Sequence, residues 1–506
     1  MTCPNCKDGI CQNKCQQTKQ SFPYRNPPSP FQRSAIVSSF KSKAYALFHA
    51  MGAGKTFSAI NVMCARFMTK NFDYKIDAAV IICPTSIKSV WLVEFDKHAP
   101  CDVNAFVYES GGDSDFYRWM KRDKDGLRVL IVGVEALSQG KAFERVMEFL
   151  ENRIAMVVCD ESSRIKNHAA DRTKKAFKIA HACKFRMILT GTPITQGIQD
   201  LFSQFYFLDP SILGMKSYVL FRNMYCVMGG FQNRAVIGFQ NVPNLMDKIR
   251  PYCDIVTKEE ALPQLPPKIY SPPIVVKPTR EQKAVMDQLH KEFMAEQSGD
   301  VLTVSTVMDR LTRYQQICGG FYPHDDDENN SYKVRPIDGK NPKLEVLLEL
   351  CEQVVDAGDK AIIWARFRPE LELIADKLNE LYGKGTALPF HGGVSLDDRA
   401  AYTREFENGK TAKFMVANAT VGGMGQTWIA ATHTFYYSNT FSYEDRMQSE
   451  DRNHRRGQHN SVVYHDIVMD VKADHMILKA LAKKHDLAME VRDGIKKGTN
   501  FGTEGE

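Results

Sequence analysis

Residues 44–68 read AYALFHAMGAGKTFSAINVMCARFM. An apolar run (AYALFHA, 44–50) leads into a glycine-rich turn ending in Gly-Lys-Thr (54–56), and a helical stretch (FSAINVMCARFM, 57–68) follows. Strand, glycine turn and helix are the context of a P-loop. Gly52 and Gly54 would let backbone N–H groups approach phosphate, Lys55 would neutralise the β- and γ-phosphates, and Thr56 would hold Mg²⁺. The full pattern has Gly at position 49, where this chain has His49. A GxGKT core arises by chance often enough to need a second half.

That half is VVCDESS (157–163). Asp160 ends an apolar strand-like run, which puts its carboxylate at the carboxyl edge of a sheet, where nucleotides bind. Asp160 would hold Mg²⁺ through water, and Glu161 would orient and deprotonate the attacking water. The structural alternative is an acidic pair capping the next helix, with Ser162 and Ser163 as N-cap neighbours.

Further short apolar runs surround these: AAVIICP (78–84), LRVLIVG (127–133), FRMILTGTP (185–193), then KAIIWAR (360–366), KFMVANA (413–419) and THTFYYS (432–438). Alternating with amphipathic segments, they indicate buried parallel strands in βαβ units. They fall into two groups, so the expected class is α/β with two parallel-sheet lobes. Between the groups, 209–262 loses the rhythm, LPQLPPK (262–268) is a break, 279–318 reads as helical, and HDDDENNS (324–331) reads as a solvated loop. The expected division is a cysteine module at 1–22, a first lobe at 23–272 with a helical insertion at about 209–262, a second lobe at 273–490 with a helical insertion at about 279–340, and a flexible tail at 491–506.

The chain has 506 residues, 43% hydrophobic and 25% charged, an ordinary globular composition that excludes collagen-like, coiled-coil and wholly disordered classes. No apolar run approaches about 18 residues, so no membrane span is expected. The start has no apolar core of a signal peptide. Lys plus Arg is 66 against 60 acids, a net +6, which allows a nucleic-acid partner only where positive charge is local. Four of the 13 cysteines lie in the first 15 residues, and others sit in strand-like runs such as VIICP. That usage fits a reducing, cytoplasmic setting.

The order of motifs resembles the superfamily 2 helicase-related ATPases, and within them the Swi/Snf-type DNA translocases, from about residue 30 to about 470. Phe31-Gln32 stands at the family's adenine-reading glutamine. MGAGKT is similar to motif I, CPTSIKSVWLVEF (83–95) to motif Ia, VGVEALS (132–138) to the next nucleic-acid motif, DESSRIKN (160–167) to motif II, and LTGTPITQGIQDLFSQFYFLDP (189–210) to motif III and its sequel. KAIIWARF (360–367) resembles motif IV, TVGGMGQTW (420–428) motif V, and QSEDRNHRRGQ (448–458) motif VI. Three departures stand out: Ser163 in place of the His of DEAH, Ala50 in place of an acid, and Gln426 in place of Asn. The Ser163 change is expected to weaken or rewire coupling between ATP and the DNA-gripping motifs. A compact engine of this kind is typical of viral and bacterial members, which suggests a prokaryotic or virus-infected cell.

The resemblance implies two RecA-like lobes with ATP between them. Lobe 1 would supply Lys55, Thr56, Asp160 and Glu161; lobe 2 would supply Arg452 and Arg455 as arginine fingers and Gln448 near the γ-phosphate. The cofactors implied are ATP and Mg²⁺, the partner is double-stranded DNA, and a monomer is assumed. DNA contacts are expected from Thr85, Ser86 and Lys88, from Thr192, and from Thr420, Gly422 and Gly423. Read without the resemblance, Arg452, Arg455 and Arg456 are a basic helix face pairing with Glu444, Asp445, Glu450 and Asp451. The stretch 164–186 carries eight Lys or Arg and one acid, a candidate phosphate-tracking patch or a solvated helix face. The function expected is an ATP-dependent double-stranded DNA translocase in replication, recombination, repair or protein displacement. Its rivals are a fork-acting helicase or annealing enzyme, and a nucleotide-switched DNA-binding module with little turnover.

Cys3, Cys6, Cys11 and Cys15 follow the spacing C-x₂-C-x₄-C-x₃-C. Four thiolates so spaced can close a tetrahedral structural Zn²⁺ site in a small zinc-knuckle-like module, serving to dock DNA or a protein partner. An Fe–S cluster, a redox pair and free thiols are the alternatives.

Overall fold

The computed structural model describes residues 22–122, 125–230, 235–296, 304–326, 331–422 and 426–497. Cys3, Cys6, Cys11, Cys15 and Gly423 lie outside the described residues.

The first lobe holds β1 (Ala44–His49), β2 (Ala78–Cys83), β3 (Val103–Val107), β4 (Leu127–Gly133), β5 (Ala155–Asp160) and β6 (Phe185–Leu189), then a hairpin of β7 (Cys226–Gly229) and β8 (Ala235–Phe239), and finally β9 (Cys253–Val256). All but the hairpin form one parallel sheet in the order β3-β4-β2-β5-β6-β1-β9. The second lobe holds β10 (Lys268–Tyr270), β11 (Ile274–Val276), β12 (Phe321–Asp326), β13 (Ser331–Pro336), β14 (Ala361–Trp364), β15 (Ala387–Phe390), β16 (Phe414–Ala417), β17 (His433–Tyr436) and β18 (Val462–Met469). Its sheet runs β10-β18-β17-β14-β16-β15, again parallel, with β11 also on β18.

Why these runs become strands is visible in their burial. β1, β2 and β5 are buried at every residue, because helices cover both faces of the sheet. Two apolar clusters flank the first sheet, one built on Phe48, Val80, Val157 and Ile188, the other on Leu47, Ile81, Val158 and Leu189. The second sheet is packed the same way, with Ile363, Val416 and Phe435 on one side and Ile362, Met415 and Tyr436 on the other. Parallel connections leave all carboxyl ends at one edge, so motifs I, Ia, II and III emerge together after β1, β2, β5 and β6.

Three segments differ from their sequence reading. The mixed region 209–262 contains the β7–β8 hairpin and also β9, which extends the first sheet beside β1. A four-residue strand of two buried ends (Cys253, Val256) is too short to announce itself by periodicity. His324, Asp325 and Asp326, read as the start of a solvated loop, lie in β12 and pair antiparallel with β13. Of the flexible tail expected at 491–506, residues 491–497 are helical. This last helix (Lys472–Lys497) leaves lobe 2 and buries Val491 and Ile495 in the core of lobe 1. Arg250 Nε donates to Ile495 O at 2.9 Å and its Nη2 to Gly494 O at 3.2 Å, which satisfies carbonyls at the helix end. No helix among the described residues is long and apolar enough to cross a membrane.

Candidate active site between the lobes

The P-loop turn follows β1 and opens the helix Lys55–Met68. Gly52 and Gly54 both have φ of +80°, the left-handed region that glycine takes without strain. His49 shows no positive φ, so the residue in place of the usual glycine needs no special backbone. Its ring is fully buried, and Nε2 donates to Asp254 Oδ2 on β9 at 2.8 Å. Ala50 N donates to Val256 O at 2.8 Å, so β9 also braces the loop's entry. Lys55 Nζ lies over the turn, donating to His49 O at 3.0 Å. Gln32 holds the loop from outside: its Nε2 donates to Ala53 O and its Oε1 accepts from Ser29 N, each at 3.0 Å.

At the end of β5, Asp160 is buried and both its oxygens are bonded. Oδ1 accepts from Glu161 N at 3.0 Å, and Oδ2 accepts from the Trp91 indole N–H at 3.1 Å. Burial raises the Asp160 carboxyl, with Lys55 pulling it back. Glu161 has φ of +48°, a left-handed conformation rare outside glycine, which marks a position held by its surroundings. Burial pushes its carboxyl up to about 7; Lys55 opposes this, while the charges of Asp160 and Glu444 add to it. The serines that follow do not cap a helix through their hydroxyls. Ser162 Oγ donates to Gln204 Oε1 at 2.8 Å, and Ser163 Oγ crosses to lobe 2, donating to Glu444 Oε1 at 2.7 Å.

Lobe 2 presents the helix Tyr443–Glu450 and the turns after it. Arg452 Nε donates to Gln448 O at 2.9 Å, and Arg452 and Arg455 share the carbonyl of Gln426, at 2.8 and 3.0 Å. Because it is the backbone of Gln426 that serves, the motif V departure leaves this anchor intact. Arg452 is 7% exposed, and burial first, then the neighbouring Arg455, brings its guanidinium down to about 10. The charges of Asp451 and Glu161 act in the opposite sense on Arg452.

The acids of motif VI take other cations, two lysines from the chain that joins the lobes and Arg446 from their own helix. Lys268 Nζ pairs with Glu450 at 2.8 Å, Lys258 pairs with Asp451, and Arg446 Nε pairs with Glu450 at 2.8 Å. Burial drives the Glu450 carboxyl upward, but Lys268 and Arg446 outweigh it and hold the group down at about 2. The basic-face reading of Arg452 and Arg455 is therefore not what the geometry displays. Behind the P-loop a cavity of about 700 Å³ separates Met51 and Thr192 from Lys258, Tyr443 and Asp451.

Other expected contacts fall as follows. Thr85 and Ser86 lie in a 3-10 turn after β2; Thr85 Oγ1 donates to Glu135 Oε2 at 2.9 Å. Lys88 is engaged within lobe 1. It is 5% exposed, and its ammonium donates to Tyr108 O at 3.2 Å and to Glu109 Oε2 at 2.6 Å, because the first turn of its helix faces the end of β3. Thr192 is buried after β6, and Thr420 and Gly422 lie in the short helix after β16. Within the basic stretch 164–186, Lys166 pairs with Glu444, Lys184 donates to Phe72 O, and Lys175 pairs with Asp171. No cluster of three or more His, Cys, Asp or Glu able to hold a metal occurs among the described residues.

Sequence reasoning missed Trp91 as partner of Asp160, Asp254 as partner of His49, Glu444 as partner of Ser163, and the linker residues Lys258 and Lys268. Glu444 carried one signal, since it precedes Gln448 by one helical turn.

With the cleft assembled in this way, the family models apply. The SNF2-related domain matches residues 32–321. The chain belongs to the SNF2-related family. The helicase conserved C-terminal domain matches residues 342–457, so the two lobes form the core of a superfamily 2 helicase-type ATPase. Among curated proteins, an uncharacterized ATP-dependent helicase of Mycoplasma genitalium is 24% identical over 458 residues, 89% of this chain and 40% of its own length. The DNA annealing helicase and endonuclease ZRANB3 of Mus musculus is 24% identical over 481 residues, 92% of this chain and 41% of its own. The chain thus spans about two fifths of these relatives. Among solved structures, the Sulfolobus solfataricus SWI2/SNF2 ATPase core in complex with dsDNA is similar at 20% identity and a TM-score of 0.39, covering 95% of this chain and 99% of its own.

Proposed function

We propose that this SNF2-related chain is an ATP-dependent translocase on double-stranded DNA that hydrolyses ATP in the cleft between its lobes. The observation that carries the reading is that motif II on lobe 1 is joined to the arginine-bearing motif VI segment of lobe 2, Ser163 Oγ donating to Glu444 Oε1 at 2.7 Å and Lys166 Nζ to Glu444 Oε2 at 3.4 Å. Lys55 and the glycine turn bind the phosphates. Asp160 and Thr56 present oxygen donors that suit Mg²⁺, a hard cation that would neutralise phosphate charge when bound with ATP. Glu161, next to Asp160 at the carboxyl end of β5 and held at a φ of +48°, is placed to orient water and take a proton from it. Arg452 and Arg455 stabilise charge on the transferred phosphoryl group, an effect of about 10³- to 10⁵-fold for a finger. Since the two halves sit on different lobes, closure is required for turnover and opening follows it. Gln32, spent on Ala53 and Ser29, supports the loop and would reach adenine from there.

Thr85, Ser86, Thr192, Thr420 and Gly422 lie beyond the carboxyl ends of strands and offer short polar groups and backbone, which suits a sequence-tolerant grip on phosphate. The resemblance to an annealing helicase favours one second reading, strand rewinding at forks. The Cys3, Cys6, Cys11 and Cys15 module is proposed to bind Zn²⁺, and comparing metal content with a Cys3/Cys6→Ser variant checks it.

The test is steady-state ATP hydrolysis with no DNA, single-stranded DNA, forked DNA and duplex. Stimulation by duplex, lost in Lys55→Ala and Glu161→Gln, is the expected result. Stimulation by forks alone favours rewinding, and no stimulation by any DNA refutes the proposal.

A further inference from the structure

Where the family has His in motif II, this chain has Ser163, and a hydroxyl buried at a lobe boundary must find an acceptor. It finds one in the opposite lobe. Ser163 and Glu444 are 1% and 7% exposed, and Ser163 Oγ donates to Glu444 Oε1 at 2.7 Å. The second oxygen, Oε2, receives Lys166 Nζ at 3.4 Å, and Arg164 Nε stands 4.0 Å from Oε1. Lys166 also donates to Thr195 Oγ1 at 2.6 Å, and Thr195 is held by Asp200, so Glu444 touches motif II directly and motif III at one remove. On its own helix, Gln448 Nε2 donates to Glu444 Oε1 at 3.4 Å, and the Gln448 carbonyl accepts Arg452 Nε. A continuous path of polar contacts therefore runs from Ser163 through Glu444 and Gln448 to Arg452.

We propose that Ser163 and Glu444 form a latch across the cleft, with Glu444 a positioning residue that sets the arginine-bearing helix against motif II for hydrolysis. The latch rests on the cleft being the hydrolytic site described above. Glu444 makes no contact with reacting atoms; it acts through Gln448 and Arg452. Its contacts with Ser163 and Lys166 exist only when the lobes are together, so they favour the closed state by their full strength, which is what a population shift requires. An acid in lobe 2 thus complements a hydroxyl in lobe 1.

A double-mutant cycle on the full chain tests this: kcat and KM for ATP, with and without duplex DNA, for wild type, Ser163→Ala, Glu444→Ala and both together. Each single change is expected to lower kcat about tenfold with KM within about twofold, and the pair is expected to be no worse than about tenfold. Glu444→Gln keeps an acceptor for Ser163 and should fall between. A double variant near about 100-fold down, the additive value, overturns the latch, as does an unchanged kcat in the single variants. Melting curves establish folding; if Glu444→Ala does not fold, Glu444→Gln takes its place in the cycle. If wild-type turnover ignores DNA, the translocase reading falls while the latch is judged on basal turnover. Solution scattering with a non-hydrolysable ATP analogue gives an answer independent of turnover. The double variant should show a larger radius of gyration than wild type, and equal radii overturn the latch.

Discussion

Replacing Gly54 by alanine probes the phosphate loop at its tightest point. Gly54 has φ of +80°, and a left-handed L-residue costs about 1–2 kcal/mol. A Cβ there would also lie 2.4 Å from Gln32 Nε2. That amide is not free to swing aside, since Ser29 N and Ala53 O each hold it at 3.0 Å. Moving it gives up two hydrogen bonds of about 0.5–1.5 kcal/mol each, partly regained from water because Gln32 is half-buried, so about 1 kcal/mol is lost. The sum is about 2–3 kcal/mol. Urea denaturation followed on the lobe 1 transition measures it, and nucleotide titration should show weaker ATP binding as the loop deforms. Adding Gln32→Ala removes the clash, so the double variant should be more stable than the sum of its parts by about 1 kcal/mol. A Gly54→Ala protein within about 0.5 kcal/mol of wild type, or strict additivity with Gln32→Ala, refutes the reasoning.

Lys88→Met should leave duplex affinity within about twofold, because the ammonium is already engaged inside lobe 1; a tenfold drop in a binding titration would place Lys88 on the DNA after all. Lys268→Met leaves Glu450, 1% exposed, with Arg446 and the Tyr270 hydroxyl as its remaining partners, and should cost about 2–4 kcal/mol in a melt of lobe 2, with a loss below about 0.5 counting against a buried pair there. Glu370, fully buried on lobe 2 and bonded by Ser438 Oγ at 2.6 Å, has its carboxyl pushed by burial up to about 7. The folded protein then holds that proton more tightly than the unfolded chain, so the contribution is full below about pH 4.5 and is lost as pH rises through about 7. Glu370→Gln should flatten stability across this window, and an unaltered pH slope in denaturation assays contradicts the assignment.

Much of the architecture was legible because buried parallel strands carry their own signature. AAVIICP, LRVLIVG and FRMILTGTP became β2, β4 and β6, since a strand covered on both faces must be apolar throughout. β9 escaped because two of its four residues are only partly buried, and its place beside β1 depends on a partner far away in sequence. The helix Lys472–Lys497 escaped the sequence reading, which took 491–506 as a flexible tail, and so did its docking into lobe 1 through Val491 and Ile495, as an apolar stripe does not name its acceptor. Lys88 illustrates the converse: a lysine beside a nucleic-acid motif reads as a phosphate contact until a buried carbonyl is found within its reach.

The sequence by itself determined the α/β class, the two groups of strands, the glycine turn and the acids of motif II, because each rests on local composition and short spacing. Tertiary structure alone decided who meets whom. His49 with Asp254, Trp91 with Asp160, Lys268 with Glu450 and Ser163 with Glu444 are paired over long chain separations, through folding geometry that no local pattern encodes. Buried polar groups must be satisfied somewhere, and only the packed lobes specify where.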